Sequence, residues 1–240
     1  MEFSNVYSDE KRADSYAKLE FPNTYYLAYR DLPAIIAAHV RGTKAVDFGC
    51  GAGRSTRFLA RLGFSVVGVD ISADMVKKAR EIDPEGDYRV IPDGEFSQLD
   101  TGAYALVQSI FTFDNIPTWE QKIRNFLGLR SLLDDDGRIV HLVSSSEIYK
   151  HEWASFSTKD FPENLIARTG DIVKCIMTDV EDRRPVEDVI WYDKDYRTVF
   201  RGAGLEVEKV YSPLAREEEP FRWVNETRIP PWTIYVLKKL

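Results

Sequence analysis

Three glycines on alternate positions are the first feature of the sequence that could do chemistry. Gly49, Gly51 and Gly53 lie in the stretch VDFGCGAGRS, between a short β-rich run and a segment with helical periodicity. Without a Cβ, such residues let the backbone approach a ligand closely, and the start of the following helix offers N–H groups with no partner inside the helix. The stretch therefore predicts a ligand-binding turn, with a plain tight turn as the alternative.

An acidic residue at the end of the next predicted strand narrows the choice of ligand. Asp70 ends a β-rich run over residues 65–70, and a carboxylate at that place can accept both hydroxyl groups of a ribose. A dinucleotide-binding turn requires Gly or Ala at position 54, where this sequence has Arg54, and its third glycine is Gly53 instead. The pattern favours a nucleoside-containing cofactor over a dinucleotide.

Short β-rich runs alternate with helical segments beyond residue 31, which is typical of an α/β domain with a mostly parallel sheet. The helix after the fourth run begins with a capping box at Thr118 and Gln121. The residues expected to face the sheet are Trp119, Ile123, Phe126, Leu127 and Leu133. An acidic turn over residues 134–137 should precede the fifth strand. The seven predicted strands cover residues 44–48, 65–70, 88–91, 104–111, 138–144, 205–210 and 232–237.

The longest interruption of this alternation covers residues 145–192 and follows the fifth predicted strand. Two strands, over residues 171–177 and 186–192, are predicted within it as a hairpin. Insertions of this length in compact folds often form caps or binding elements. We expect one domain over residues 1–240, with a substrate cap at 145–192 and a helical lid at 1–40. A structural arm or a dimer contact is the alternative for the insertion.

With Asp47 before the three glycines, the sequence resembles the class I S-adenosylmethionine-dependent methyltransferases. Their first motif is an acidic residue followed by Gly-x-Gly-x-Gly, and the last predicted strand matches their antiparallel closing strand. The resemblance implies a doubly wound, seven-stranded, Rossmann-like sheet. It also implies S-adenosylmethionine as cofactor and S-adenosylhomocysteine as product.

The resemblance assigns cofactor contacts residue by residue. Asp70 would bind the ribose, Ile71 would lie beside the adenine, and Asp93 in IPDG would lie near the adenine amino group. Arg30 would meet the methionine carboxylate, since arginine pairs with carboxylates through two hydrogen bonds; an exposed arginine at a helix start is the alternative. The full predicted set is Arg30, Asp47, Gly49, Cys50, Gly51, Gly53, Asp70, Ile71, Asp93, Gly94, Ser109 and Phe111.

The segment FDNIP at residues 113–117 stands where amino-methylating nucleic-acid enzymes carry an Asn-Pro-Pro-Tyr-type element, so the small-molecule branch is favoured. Aromatic rings near the methyl group would favour the cationic sulfonium. We expect Phe111, Phe113, Tyr149 and Trp153 there. A general base is needed only for a poorly ionised acceptor, and the candidate for it is His151.

Composition sets the broad class of the protein. A net charge of −7 over 240 residues argues against a nucleic-acid partner, and two cysteines with three histidines predict neither a disulfide framework nor a metal site. No apolar stretch is long enough to span a membrane, so we expect a cytoplasmic protein. The expected partner is a small-molecule substrate, and a homodimer is possible. The alternatives are a non-catalytic S-adenosylmethionine-binding module and an NAD-dependent oxidoreductase.

Overall fold

A seven-stranded sheet forms the centre of the fold. The structure, a computed structural model, describes residues 22–240. The strand order is β3-β2-β1-β4-β5-β10-β9, and β6, β7 and β8 form a separate three-stranded sheet. The strands are β1 Lys44–Phe48, β2 Ser65–Asp70, β3 Asp87–Val90, β4 Tyr104–Ile110, β5 Leu133–Ser144, β6 Phe156–Ser157, β7 Ile172–Met177, β8 Val186–Val189, β9 Leu205–Tyr211 and β10 Trp232–Lys239. The helices are α1 Thr24–Arg30, α2 Leu32–His39, α3 Arg54–Arg61, α4 Ala73–Ile82, α5 Trp119–Leu132 and α6 Asp193–Gly202.

The direction and order of the strands determine where a ligand can enter. β1, β2, β3, β4 and β5 run parallel to one another, whereas β10 is antiparallel to both β5 and β9. From β1 the chain first adds β2 and β3 on one side and then β4 and β5 on the other. A sheet whose strand order reverses in this way has a crevice outside the carboxyl ends of its strands at the reversal point. That crevice lies at the ends of β1 and β4.

Both faces of the sheet are covered, as the near-continuous hydrophobic strands require. Every residue of β4 is buried, and alternate residues of β5 enter different clusters. Val140 and Leu142 pack with α1, α2 and the insertion, whereas Ile139 and Val143 pack with α5 and α6. The predicted seven-stranded, mostly parallel α/β sheet is confirmed, and the insertion carries the predicted hairpin as β7 and β8.

Two local predictions were wrong. The acidic stretch 134–137 is a bulge inside β5, because Leu133 already pairs with Tyr104 while Arg138 pairs with Leu106. Of the residues expected to face the sheet from α5, Phe126 and Leu133 are buried and Ile123 packs against the same core, but Trp119 and Leu127 are exposed. The polar residues Lys122 and Asn125 are buried on that side instead. Lys122 donates to the Phe113 carbonyl, with its ammonium 4.7 Å from the ring centroid of Trp191, and Asn125 Nδ2 donates to Asp93 Oδ1 at 3.0 Å. These partners satisfy the Lys122 ammonium and the Asn125 NH2 group, whereas the Asn125 amide oxygen is buried without a hydrogen-bond donor.

A buried carboxylate joins three segments that lie far apart in the sequence. Glu226 has no exposed surface. Its Oε1 accepts from Thr24 Oγ1 of α1 at 2.6 Å and from the Ala154 N–H of the insertion at 2.7 Å. Its Oε2 accepts from the N–H groups of Val224 and Asn225, at 2.8 and 3.0 Å. The N-terminal helix, the insertion and the loop before β10 are thereby held together.

Replacing this carboxylate should destabilise the protein. In Glu226→Gln, either orientation of the amide places its NH2 group against at least one backbone N–H donor, so we expect the free energy of unfolding to fall by about 3 kcal/mol. Urea titration followed by tryptophan fluorescence would measure the change. Glu217→Gln, at an exposed position, is the control and should change stability by less than about 0.5 kcal/mol. Equal midpoints for the two variants would contradict this account of Glu226.

Candidate functional site

A cleft of about 910 Å³, including its open mouth, lies outside the carboxyl ends of β1, β2 and β4. Its walls combine apolar side chains with a few polar groups, which is the usual make-up of a small-molecule site. We call it the main cleft. It is lined by Phe48, Gly49, Gly51, Asp70, Ile71, Ser72, Met75, Ile91, Asp93, Ile110, Phe111, Thr112, Asn115, Ile116, Pro117 and Gln121.

The glycine turn forms the floor of this cleft because side chains have no room there. Gly49 has a φ of +74°, and a Cβ on it would lie 2.1 Å from Thr112 Oγ1. Thr112 is itself fixed, since its hydroxyl donates to the Phe48 carbonyl at 3.0 Å. A residue with a Cβ at position 49 would therefore collide with Thr112, so this turn requires glycine there.

Asp70 is held rigidly at the wall of the main cleft. Its Oδ2 accepts the Gly51 N–H at 2.8 Å and its Oδ1 accepts the Ser72 N–H at 2.9 Å. Burial raises the pKa of this carboxyl group, while the two backbone donors act in the opposite direction. The hydrogen bonds join the end of β2 to the glycine turn, so that one acidic side chain faces the cleft in a fixed orientation.

The second predicted acidic residue of the cleft is already engaged. Asp93 lines the main cleft and accepts hydrogen bonds from Arg124 Nη2 at 2.6 Å and Asn125 Nδ2 at 3.0 Å. Ile71 lines the same cleft with a half-exposed side chain. Gly94 does not line it, and its left-handed backbone lies next to the Arg124 side chain.

Asp47 is fully buried and does not line the cleft. One of its oxygens accepts from Ser55 Oγ and Thr56 Oγ1, both at 2.6 Å. Burial raises the pKa of Asp47 to about 6, although the two hydroxyl groups act to lower it. Since both hydroxyls belong to the first turn of α3, Asp47 positions the glycine turn rather than a ligand.

A smaller cleft of about 380 Å³ lies on the other side of the glycine turn. Gly49, Gly51, Cys50 and Arg54 are among its lining residues, with Tyr29 opposite. The thiol of Cys50 is buried, which raises its pKa well above the usual value. The Arg54 guanidinium lies 5.5 Å from the ring centroid of Tyr29, so this cleft has a cation that sequence reasoning had not assigned to the site.

Arg30, Gly53 and Ser109 do not line any of these clefts. Arg30 Nη1 donates to Glu219 Oε1 at 2.7 Å, and its Nε donates to Asp31 Oδ1 at 2.9 Å. Gly53 caps α3 with a left-handed backbone, and Ser109 is buried within β4.

A third cavity, of about 450 Å³, lies between the end of β4 and the insertion, and we call it the acidic cavity. Phe111 and Asn115 line both this cavity and the main cleft, so the two spaces share a wall. The lining residues are Tyr25, Phe111, Asp114, Asn115, Ser144, Ile148, Tyr149, Phe156, Cys175, Met177, Val186, Asp188 and Trp232.

Of the residues predicted near the substrate, the structure brings Tyr149 and Phe111 to the acidic cavity but not the other three. Phe113 is fully buried on the opposite side of the sheet and stacks on Phe126, with 4.2 Å between ring centroids. Trp153 is buried in the insertion, where its indole donates to the Ile148 carbonyl at 2.7 Å. His151 lies outside the cavity, with Nε2 3.3 Å from Glu147 Oε2.

Sequence reasoning missed several lining residues of these spaces. Asp114 and Asn115 belong to the 3-10 turn Thr112–Asn115, directly after β4. Polar residues directly after a central parallel strand are a signal that could have indicated them. Asp188 had no comparable signal, because its position beside the site depends on how the insertion folds back.

Within residues 22–240, no cluster of His, Cys, Asp or Glu side chains could hold a metal ion. None of the helices in the same range has both the length and the apolar composition that a membrane span requires.

Comparison with known proteins agrees with the geometry. Residues 46–139 match the model of a methyltransferase domain family. A ubiquinone biosynthesis O-methyltransferase of Xanthomonas oryzae pv. oryzae is 31% identical over 80 residues, 32% of this chain and 34% of that protein. The matched part thus spans about a third of that relative. The enzyme of the same name from Xanthomonas axonopodis pv. citri is 29% identical over 192 residues, 78% of this chain and 71% of that protein.

Solved structures extend the likeness to most of the chain. The structure of the CcbJ methyltransferase from Streptomyces caelestis superposes with a TM-score of 0.61 and 18% identity, covering 89% of this chain and 96% of that chain. At this level of identity the likeness shows the fold alone. The glycine turn lies within residues 46–139, the part of the chain that matches the methyltransferase domain family.

The burial of Asp47 should be visible in the pH dependence of stability. Because its pKa is about 6 in the folded state against 3.8 ordinarily, the folded protein keeps a proton between pH 4 and 6 that the unfolded chain has lost. Stability from this group therefore falls as the pH rises through that range. The free energy of unfolding of Asp47→Asn, relative to that of wild type, should rise by about 3 kcal/mol from pH 4 to pH 6. Urea titration at each pH would measure it.

The substitution also alters the hydrogen bonds of residue 47, which shifts the free energy of unfolding by the same amount at every pH. The prediction therefore concerns how the difference from wild type changes with pH. Asp74→Asn, at an exposed position in the first turn of α4, is the control and should run parallel to wild type. Parallel curves for Asp47→Asn and wild type would mean that Asp47 titrates normally.

Proposed function

Since the chain belongs to the class I S-adenosylmethionine-dependent methyltransferases, we propose that it transfers a methyl group from S-adenosylmethionine to an O, N or C atom of a small metabolite. The observation that carries the proposal is Asp70, fixed by the Gly51 N–H at the wall of a cleft where the strand order reverses. A carboxylate at this position suits the two hydroxyls of a ribose.

The main cleft fits the adenosine part of the cofactor. Asp70 would bind the ribose, the side chains of Ile71 and Ile91 would cover the faces of the adenine, and Asp93 would accept from its amino group. The smaller cleft fits the amino-acid part, because Arg54 supplies a cation for the methionine carboxylate. Arg54 thus replaces Arg30 in this proposed role.

The cofactor supplies an already activated methyl group, so the protein has to bind, orient and exclude water. Phe111 and Asn115 belong to both the main cleft and the acidic cavity, so the acceptor would meet the methyl group beside these two residues. We propose that the N-terminal helices and the insertion close over the acceptor. Residues 1–21 of the predicted lid lie outside the described residues.

The class of acceptor, location and assembly are further parts of the proposal. The net charge of −7 supports a small molecule over a nucleic acid. The bacterial relatives are named for the biosynthesis of a small molecule, ubiquinone, which supports a small-molecule acceptor. We propose a cytoplasmic location. A homodimer stays a prediction that light scattering would test.

Binding of the cofactor should depend on Asp70. Isothermal titration should give binding of S-adenosylmethionine and S-adenosylhomocysteine to wild type, and Asp70→Asn should weaken both about 10- to 100-fold, through lost charged hydrogen bonds. Asp74→Asn is the matched control and should bind like wild type, and thermal melts would establish that both variants fold. Binding of NADH instead of the two sulfur compounds would favour the oxidoreductase and refute the proposal.

Catalysis needs a second measurement, because a cofactor-binding module would also pass the first. Incubation with S-adenosylmethionine and a pool of metabolites should produce S-adenosylhomocysteine together with a product heavier by one methyl group, detected by mass spectrometry. Tight cofactor binding without such a product would identify a non-catalytic module.

A further inference from the structure

Among the described residues, the charged side chains that line the acidic cavity are all negative. Two carboxylates, Asp114 and Asp188, line it, and no lysine, arginine or histidine among the described residues does so. Five aromatic rings complete the wall, those of Tyr25, Phe111, Tyr149, Phe156 and Trp232. A space with this lining complements a cation with an apolar body, because both carboxylates and aromatic faces attract positive charge.

The first carboxylate lies close to where the methyl group is proposed to be delivered. Asp114 belongs to the 3-10 turn after β4, between Phe113 and Asn115, and only 5% of it is exposed. Its Oδ2 accepts the Ser144 N–H at 3.1 Å. The buried ammonium of Lys122 donates to the Phe113 carbonyl and attracts the Asp114 carboxylate electrostatically, but it does not line the cavity. The carboxylate of Asp114 is therefore the charged group that β4 and its turn present to a ligand.

The second carboxylate comes from the insertion. Asp188 lies on β8, and its Oδ2 accepts from the Tyr149 hydroxyl at 3.1 Å. Near the two acids, the ring centroids of Phe111 and Trp232 are 4.7 Å apart, and those of Phe111 and Tyr25 are 5.9 Å apart. The insertion, α1 and β10 thus each add a wall, and the cavity exists only when all three are assembled.

We propose that the methyl acceptor is the nitrogen of a small amine with an apolar body, which enters the acidic cavity as its ammonium ion and binds between Asp114 and Asp188. This inference rests on the proposed function and names its substrate class. An ammonium ion would balance the negative charge of the two acids, because opposite charges attract strongly where water is largely excluded. A phenolate or carboxylate acceptor would instead meet two negative charges at close range.

The reaction balances without a further reactant. The ammonium ion first gives a proton to Asp114, which leaves a lone pair on nitrogen. Nitrogen then forms a bond to the methyl carbon while the carbon–sulfur bond breaks, and the electron pair of that bond stays on sulfur. The sulfonium becomes the neutral thioether of S-adenosylhomocysteine, and the methylated nitrogen becomes the new ammonium ion. The proton on Asp114 passes to solvent.

The test uses the full chain saturated with S-adenosylhomocysteine and matched probes. These are 2-phenylethylamine, tyramine and cyclohexylmethylamine, each with its isosteric alcohol and the corresponding carboxylate. By isothermal titration we expect the amines to bind at least 10-fold more tightly than the alcohols, and the carboxylates not to bind. With S-adenosylmethionine in place of the product, mass spectrometry should detect N-methylated amine and one equivalent of S-adenosylhomocysteine.

Variants assign the preference to the two acids. Asp114→Asn and Asp188→Asn should each reduce amine affinity about 10-fold while leaving the affinity for S-adenosylhomocysteine unchanged. Glu187→Gln removes an exposed acid from the same strand, β8, and should bind the amines like wild type. Since both aspartate variants still have to bind S-adenosylhomocysteine, a folding failure would be recognised separately.

Several results would overturn the inference. These are equal binding of amines and alcohols, tighter binding of carboxylates, and no binding of any amine. Another is a loss in the aspartate variants that affects S-adenosylmethionine alone, which would assign the acids to the sulfonium instead. If wild type fails to bind S-adenosylhomocysteine, the proposed function falls too; if it binds that compound without preferring amines, only the substrate class falls.

Discussion

The buried carboxylate of Glu226 is the constraint on which the substrate side of this structure depends. An isolated charge in the interior would be costly, and here four donors from three segments stabilise it. The same segments supply the acidic cavity with Tyr25, Tyr149 and Trp232. A hydrogen bond of 2.8 Å from the Trp232 indole to the Thr24 carbonyl adds to this arrangement. The cavity therefore owes its shape to a polar network behind it.

Asp47 and Asp70, near the ends of the adjacent strands β1 and β2, have different roles because their surroundings differ. Asp47 on β1 is enclosed by the hydroxyls of α3 and cannot reach a ligand, whereas Asp70 on β2 is held by backbone N–H groups and faces the main cleft. Both pKa values are raised by burial. Asp47 sets the position of the glycine turn, and the Gly51 N–H of that turn holds Asp70 in place.

Features that depend on local periodicity and on short-range geometry could be predicted from the sequence, and features that depend on distant partners could not. The strands, the glycine turn and the place of Asp70 follow from hydrophobic alternation and from spacing within about twenty residues. The orientation of Arg30 follows from Glu219, far along the chain. Phe111 and Phe113 should share one face of a strand, yet a φ of +61° at Phe111 ends the alternation. Phe111 therefore faces the clefts, while Phe113 enters the core.

The same distinction explains why the sequence pointed to a cofactor but not to an acceptor. The cofactor side is built by β1, β2 and β4 and by the turns that follow them, so its signals are short motifs. The acceptor side is built where the insertion, α1 and β10 meet, and Asp188 lies 74 positions after Asp114 in the sequence. Its chemistry is a property of the assembly: two acids and five rings converge only after the chain has closed around Glu226. Under the proposed function, the insertion is therefore the part of the fold that would select the acceptor.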